Sequence, residues 1–264
     1  MRFGMPTLIG LKTLDDCAAL CRELGLSFVE ISMDMPEFQA EKLNANELRR
    51  IAKQYGVSFT IHLEGLFDPC AFNRRVASAY TETALHVIEL AKRIGMPVIN
   101  MHLNSGDYIT LPDRKASLYS EYMPEYIQKL TAFRDACASA VGGSDVIICV
   151  ENTKTFLQDF AAEGVAALME SPVFGLTLDT GHNASSGFRQ QRLIDRYIDR
   201  LRHVHLHDRS EERGDHLPLG EGGLDLKSYL RVARERDCRV ILEIKTADGL
   251  RASVSWLRAQ GYLA

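Results

Sequence analysis

Apolar, β-rich runs recur along the chain at regular intervals, and the stretches between them carry apolar residues at helical spacing. The runs predict strands at Arg2–Pro6, Phe28–Ser32, Ser58–His62, Val98–His102, Val146–Glu151, Gly175–Asp179, His203–His207 and Val240–Glu243. The spacing between them predicts helices, most clearly over Leu14–Leu24, Ala45–Tyr55, Ser78–Ile94, Tyr122–Ala140 and Leu226–Glu235. Gly25, Gly56 and Gly95 stand where three of these helices should end. Strands that alternate with helices need crossover connections, and these make a parallel sheet. Eight such units in 264 residues leave about 33 residues each, which suits an α/β fold closed as a single (β/α)8 TIM barrel over residues 1–264. An open dinucleotide-binding sheet would need a Gly-x-Gly-x-x-Gly turn after its first strand. That position reads Thr7-Leu8-Ile9-Gly10.

Composition narrows the class further. Hydrophobic residues are 46% and charged residues 25%, the balance of a globular protein with a sizeable core. The longest apolar runs are of the length of Val146–Val150, so no bilayer span is expected, and Met1–Gly10 reads as a strand and not as an export signal. The net charge of −4 does not point to nucleic acid as a partner. Six cysteines without a Cys-x-x-Cys pair read as buried, reduced thiols of a cytoplasmic protein. One long polar insertion, Leu103 to Glu121, follows the fourth strand, where a barrel can build a substrate lid.

The chemistry is concentrated where strands stop. Six of the eight close on His, Asp or Glu: His62, His102, Glu151, Asp179, the His203-Val204-His205-Leu206-His207 run, and Glu243. In a parallel barrel these ends converge on one face, the face that carries active sites. Glu151, Asp179, His205 and Glu243 are therefore expected to point toward one place. Three carboxylates there would repel each other unless protonated or bridged by a cation. With one imidazole they suit a single divalent ion such as Mn²⁺, Mg²⁺, Co²⁺ or Zn²⁺. His203, His205 and His207 alternate and share a face; His205 is placed at metal height, His203 deeper and His207 further out. Arg209 and Arg213, just after this strand, are candidates to bind a substrate hydroxyl or phosphate. Glu30 ends the second strand and faces the same mouth, with no role assigned.

The motifs Val150-Glu151-Asn152-Thr153, Leu178-Asp179-Thr180-Gly181-His182, His205-Leu206-His207-Asp208, His216-Leu217-Pro218-Leu219-Gly220-Glu221-Gly222 and Leu242-Glu243 resemble those of the xylose isomerase-like barrel superfamily. That group includes sugar isomerases and epimerases, a dehydroshikimate dehydratase and endonuclease IV. The resemblance implies that Glu151, Asp179, His205 and Glu243 are metal ligands, that Glu151 and Glu243 also serve as catalytic base and acid, and that His182 binds substrate. It implies a metal-dependent isomerase or epimerase of a small sugar, keto-sugar or polyol, working by proton transfer through a metal-stabilised enediolate. His62 and His102 would then hydrogen-bond substrate hydroxyls.

The nuclease branch gives the alternative, a zinc-dependent phosphodiesterase acting at abasic sites in DNA. His62, His102, His182 and His216 would there be further ligands of two or three zinc ions. Three positions depart from that branch. Its Asp two residues before the last His is Gly214 here, with Asp215 displaced by one; its aromatic wedge is Gly65; and its His-Pro-Gly is His102-Leu103-Asn104. The sugar reading leads, with a small carbohydrate as the expected partner, nucleic acid and membrane not expected, and self-association left undecided.

Overall fold

The computed structural model describes residues 1–263. Barrel strands are β1 (Arg2–Pro6), β2 (Phe28–Ser32), β3 (Ser58–His62), β4 (Val98–His102), β7 (Ile147–Glu151), β8 (Phe174–Asp179), β9 (Leu201–Leu206) and β12 (Arg239–Leu242). Each pairs in parallel with its neighbour, and β12 pairs with β1 to close the ring. Two antiparallel hairpins sit above the mouth, β5 (Tyr108–Thr110) with β6 (Lys115–Ser117), and β10 (Asp208–Ser210) with β11 (Gly214–Leu217). The outer helices are α1 (Leu14–Glu23), α2 (Ala45–Tyr55), α3 (Arg74–Ile94), α4 (Leu118–Glu121), α5 (Met123–Val141), α6 (Asp159–Met169), α7 (Thr180–Ser185), α8 (Gln191–Arg196), α9 (Leu226–Glu235) and α10 (Ala247–Ala259).

Local chemistry sets the element ends. Asn44 caps α2 by accepting from the N–H groups of Asn46 and Glu47, and Gly56 and Gly95 end α2 and α3 in the left-handed region. α3 begins four residues before the expected Ser78. It opens on two arginines and an exposed Val76, so the helical spacing of apolar residues is weak at the start, while Asn73 caps the true start through the Arg75 N–H. β9 stops at Leu206, one residue short of the expected end. There the His207 N–H donates to Thr180 Oγ1 (3.2 Å) instead of continuing the ladder. The 103–121 insertion contains the β5–β6 hairpin and the single turn of α4.

Register brings the strand-end side chains level. His102 pairs with Glu151 across β4–β7, and Asp179 pairs with His205 across β8–β9. Below them the barrel interior carries Glu30, Thr60, Asn100, Thr177 and His203, all buried. All six cysteines are free and buried, and burial pushes the Cys17 thiol up to about 11 and the Cys21 thiol to about 12. Among the described residues no helix is long and apolar enough to cross a membrane.

One carboxylate organises the loop after β9. Asp208 Oδ1 accepts from the N–H groups of Arg209 (2.8 Å) and Leu224 (3.1 Å), and Oδ2 from those of Gly220 (3.0 Å) and Gly222 (2.9 Å). Gly220, at φ +86°, packs so closely that an added Cβ would lie 2.4 Å from Trp256 Cδ1. Replacing Asp208 by Ala strands four backbone donors. Such a loss should cost about 3 kcal/mol or more, measured as a lowered urea midpoint; an unchanged midpoint would show that the loop is held by other contacts.

Candidate metal centre and active-site cavity

Glu151 is the hub of the mouth. It ends β7 and is 1% exposed. Its Oε2 accepts from Asn100 Nδ2 at 2.6 Å, and Thr177 Oγ1 in turn donates to Asn100 Oδ1 at 2.5 Å. His62 Nε2 (3.4 Å), His102 Nε2 (3.3 Å) and His205 Nδ1 (3.3 Å) also face Oε2, and His182 Nδ1 lies 3.3 Å from Oε1. Burial favours the neutral acid, but the surrounding imidazoles outweigh it and hold Glu151 well below the usual carboxylate range.

Asp179 does two things at once. As the N-cap of α7 its Oδ1 accepts from the His182 N–H at 2.6 Å, which fixes where His182 enters the cavity. Its Oδ2 lies 3.2 Å from His207 Nε2. The His216 N–H donates to His207 Nδ1 at 2.8 Å, so the His207 proton sits on Nε2, facing Asp179. Gly181 is required here, because a Cβ would come within 2.0 Å of His207 Cε1.

Glu243 follows β12. Its Oε1 accepts from Lys245 Nζ at 2.7 Å, while Oε2 faces His205 Nδ1 at 3.5 Å and has no hydrogen-bond partner. His205 Nδ1 is likewise buried without one. An unpartnered imidazole nitrogen between two carboxylates is the arrangement a divalent cation would satisfy, and the donor set of three carboxylates and one imidazole fits it. Ligand atoms of Asp179, His205 and Glu243 lie within 4.8 Å of one another, as do those of Glu151, Asp179 and His182. The same holds for His62, Glu151 and His205, and for His207, His216 and Glu243.

The structure thus brings together Glu151, Asp179, His205 and Glu243, with His62, His102, His182 and His216 around them. It leaves Arg209 and Arg213 outside. Arg209 Nε pairs with Asp215 Oδ1 at 2.8 Å, and Arg213 Nη2 with Glu221 Oε2 at 3.0 Å, both in the loop beyond β9. Asp215 is therefore turned to Arg209. His207, just beyond the end of β9, is fully buried against Asp179. Sequence reasoning missed Asn100 and Lys245. Each stands two residues from an assigned position: Asn100 precedes His102 on the inward side of β4, and Lys245 follows Glu243 just beyond the end of β12.

Glu151, Glu243, Lys245, His62, His102, His182 and His216 line a cavity of about 470 Å³, walled on one side by Pro6, Leu8, Ile9 and Met35. That is the scale of a small-molecule site. Burial opposes a charge on His182, yet Glu151, Asp179 and Glu243 raise it to about 9. Without a cation its charge therefore stabilises the fold fully below about pH 6.5, and that contribution is lost as pH rises through about 9. Chelator-treated protein should melt at lower temperature at pH 9.5 than at pH 7, and His182→Asn should flatten that fall. Equal pH dependence of the two proteins would count against this pairing.

A family model described as the xylose isomerase-like TIM barrel matches residues 18–260. An uncharacterised protein of Methanocaldococcus jannaschii is 22% identical over 249 residues, covering 89% of this chain and 80% of its own. A solved D-tagatose 3-epimerase-like protein superposes with a TM-score of 0.77 at 21% identity, over 98% of this chain and 96% of its own. A 3-keto-D-glucoside 4-epimerase from E. coli gives 0.75 at 15% identity, over 98% and 99%. The probable 3-DHS dehydratase from Bacillus anthracis gives 0.73 at 16%, over 98% and 99%.

Proposed function

The chain belongs to the xylose isomerase-like TIM barrel family, and from that premise we propose that it is a divalent-metal-dependent epimerase or isomerase of a small sugar, keto-sugar or polyol. The observation that carries this reading is the pair of carboxylates on either side of His205 Nδ1, Glu151 at 3.3 Å and Glu243 at 3.5 Å. They stand on β7 and just beyond β12, with β8 and β9 between them in the ring, and so approach a bound substrate from different sides. One takes the proton from carbon next to the carbonyl, and the other returns a proton on the opposite face. Glu151, Asp179, His205 and Glu243 would hold the ion. A bound divalent cation would polarise the substrate carbonyl and neutralise the charge that develops on its oxygen.

The other residues act through position. Asn100 fixes Glu151 Oε2, and Lys245 holds Glu243 Oε1, which leaves Glu243 Oε2 toward the reacting carbon. His182, at the start of α7, takes a substrate oxygen, and His62 and His102 take hydroxyls, since a neutral imidazole both donates and accepts. Arg209 and Arg213, in their ion pairs, contribute nothing at the reacting carbon. Epimerases of keto-sugars and a dehydratase among the solved structures of this fold are consistent with enolate chemistry, which loss of water from a keto-acid would share.

The nuclease alternative draws on one observation, His62 and His102 beside Glu151. Gly214 at the expected carboxylate position, Asp215 turned to Arg209, Gly65 where a wedge is needed and the net charge of −4 weigh against it.

The deciding experiment is solvent exchange. With Mn²⁺ in deuterated water, a panel of ketohexoses, inososes and 3-keto-glucosides should yield at least one sugar carrying deuterium next to its carbonyl, and an abasic duplex should stay uncut. Efficient cleavage of the duplex, abolished in His102→Ala and without exchange into any sugar, would reverse the assignment. Glu243→Gln should keep the fold and lower turnover by about 10²-fold or more, since an amide cannot move the proton; turnover within a factor of two of the parent would remove Glu243 from the mechanism.

A further inference from the structure

Beneath the proposed ligands lies a buried carboxylate that the mechanism does not use. Glu30, on β2, is 2% exposed and crosses the barrel interior to β9. Its Oε1 lies 2.9 Å from His205 Nε2, and its Oε2 lies 2.8 Å from His203 Nε2. Thr60 Oγ1, paired with Glu30 in the β2–β3 register, donates to Oε2 at 3.2 Å. A carboxylate only accepts, so His203 donates to Oε2; His205 Nε2 stands at ion-pair distance from Oε1 without hydrogen-bond alignment, and the negative charge there favours the N–H on that nitrogen.

We propose that Glu30 is a positioning residue: by holding the His205 proton on Nε2 it leaves the Nδ1 lone pair directed between Glu151 and Glu243, where a divalent cation would bind. The other tautomer would place N–H at Nδ1, facing the cation, and abolish ligation by that atom. His203, itself fully buried and edge-on to His205 at 5.1 Å between ring centres, engages the second oxygen and keeps Glu30 from swinging away. The role matches the general need of a ligating imidazole for an acceptor behind it. It rests on the metal reading above, and its test separates the two.

The experiment uses chelator-stripped full-length protein. The first measurement is the nitrogen-15 shift pattern of the His205 ring, assigned with a His205→Asn control. A proton on Nε2 is expected in the parent, with or without a second one on Nδ1 while no cation is bound; a ring protonated on Nδ1 alone overturns the proposal, whatever the metal affinity. The second is calorimetric titration with Mn²⁺ alone. Glu30→Leu should weaken binding by about 10- to 100-fold. Glu30→Gln, whose amide oxygen still accepts one N–H, should recover part of the loss. Equal affinity of both variants and the parent, with unchanged thermal unfolding, overturns the proposal. If Glu30→Leu fails to fold, the Gln variant and the parent's ring spectrum decide. A parent that binds no divalent ion, but shows the Nε2 proton, retires the metal reading while leaving the orientation of His205 by Glu30 standing.

Discussion

Burying carboxylates without water is the constraint around which the mouth of this barrel is organised. Glu30, Glu151 and Asp179 are at most 2% exposed, and an isolated buried carboxylate would be protonated or would disrupt the fold. Each is instead surrounded by donors. Asn100 and a ring of imidazoles face Glu151; the N-terminus of α7 and His207 face Asp179; His203, His205 and Thr60 face Glu30. The imidazoles are held in turn by main-chain groups, as where the His216 N–H meets His207 Nδ1. The polar network therefore extends from the floor of the barrel to its loops with few gaps. Gaps remain at both nitrogens of His205 and at His203 Nδ1, and, among the residues that line the cavity, at His182 Nδ1 and Glu243 Oε2.

That distribution separates support from chemistry. The floor layer of Glu30, Thr60, Asn100, Thr177 and His203 is saturated on nearly every oxygen and sets the rotamers above it. The upper layer is left under-coordinated and faces the space a substrate would fill. The loop after β9 joins the two, because Asp208 locks its backbone while His216, held at φ +60°, reaches back to the Glu243 carbonyl at 3.1 Å. A residue other than glycine in that region is strained, and such strain is tolerated where surrounding contacts over-determine it.

Much of the barrel was readable from the chain, because a strand buried on both faces must be a short apolar run. A polar residue that closes such a run can only be at the mouth. This is why Glu151, Asp179, His205 and Glu243 stood out together. The failures have equally local causes. Asn100 and Lys245 were passed over because neither is an obvious acid, base or metal ligand; their value comes from contacts to Glu151 and Glu243 that only register reveals. The start of α3 was hidden by its opening Arg74-Arg75 pair and the exposed Val76, which carry no core-facing signal. The partners of Arg209 and Arg213 depend on the folding back of the β10–β11 hairpin, a non-local event with no periodic signature. The role of Glu30 needed a contact across the ring between β2 and β9, 173 residues apart in the chain.

The packing of Gly220 on Trp256 has a practical side. Trp256 is the only tryptophan in the sequence, and it is half-buried on α10, parallel to the Tyr262 ring at 6.5 Å. It therefore acts as an intrinsic fluorophore placed against the segment that delivers His216 to the cavity. Its emission is free of signal from any other indole, so a change that precedes the loss of helical signal would mark release of that loop ahead of global unfolding, without a label.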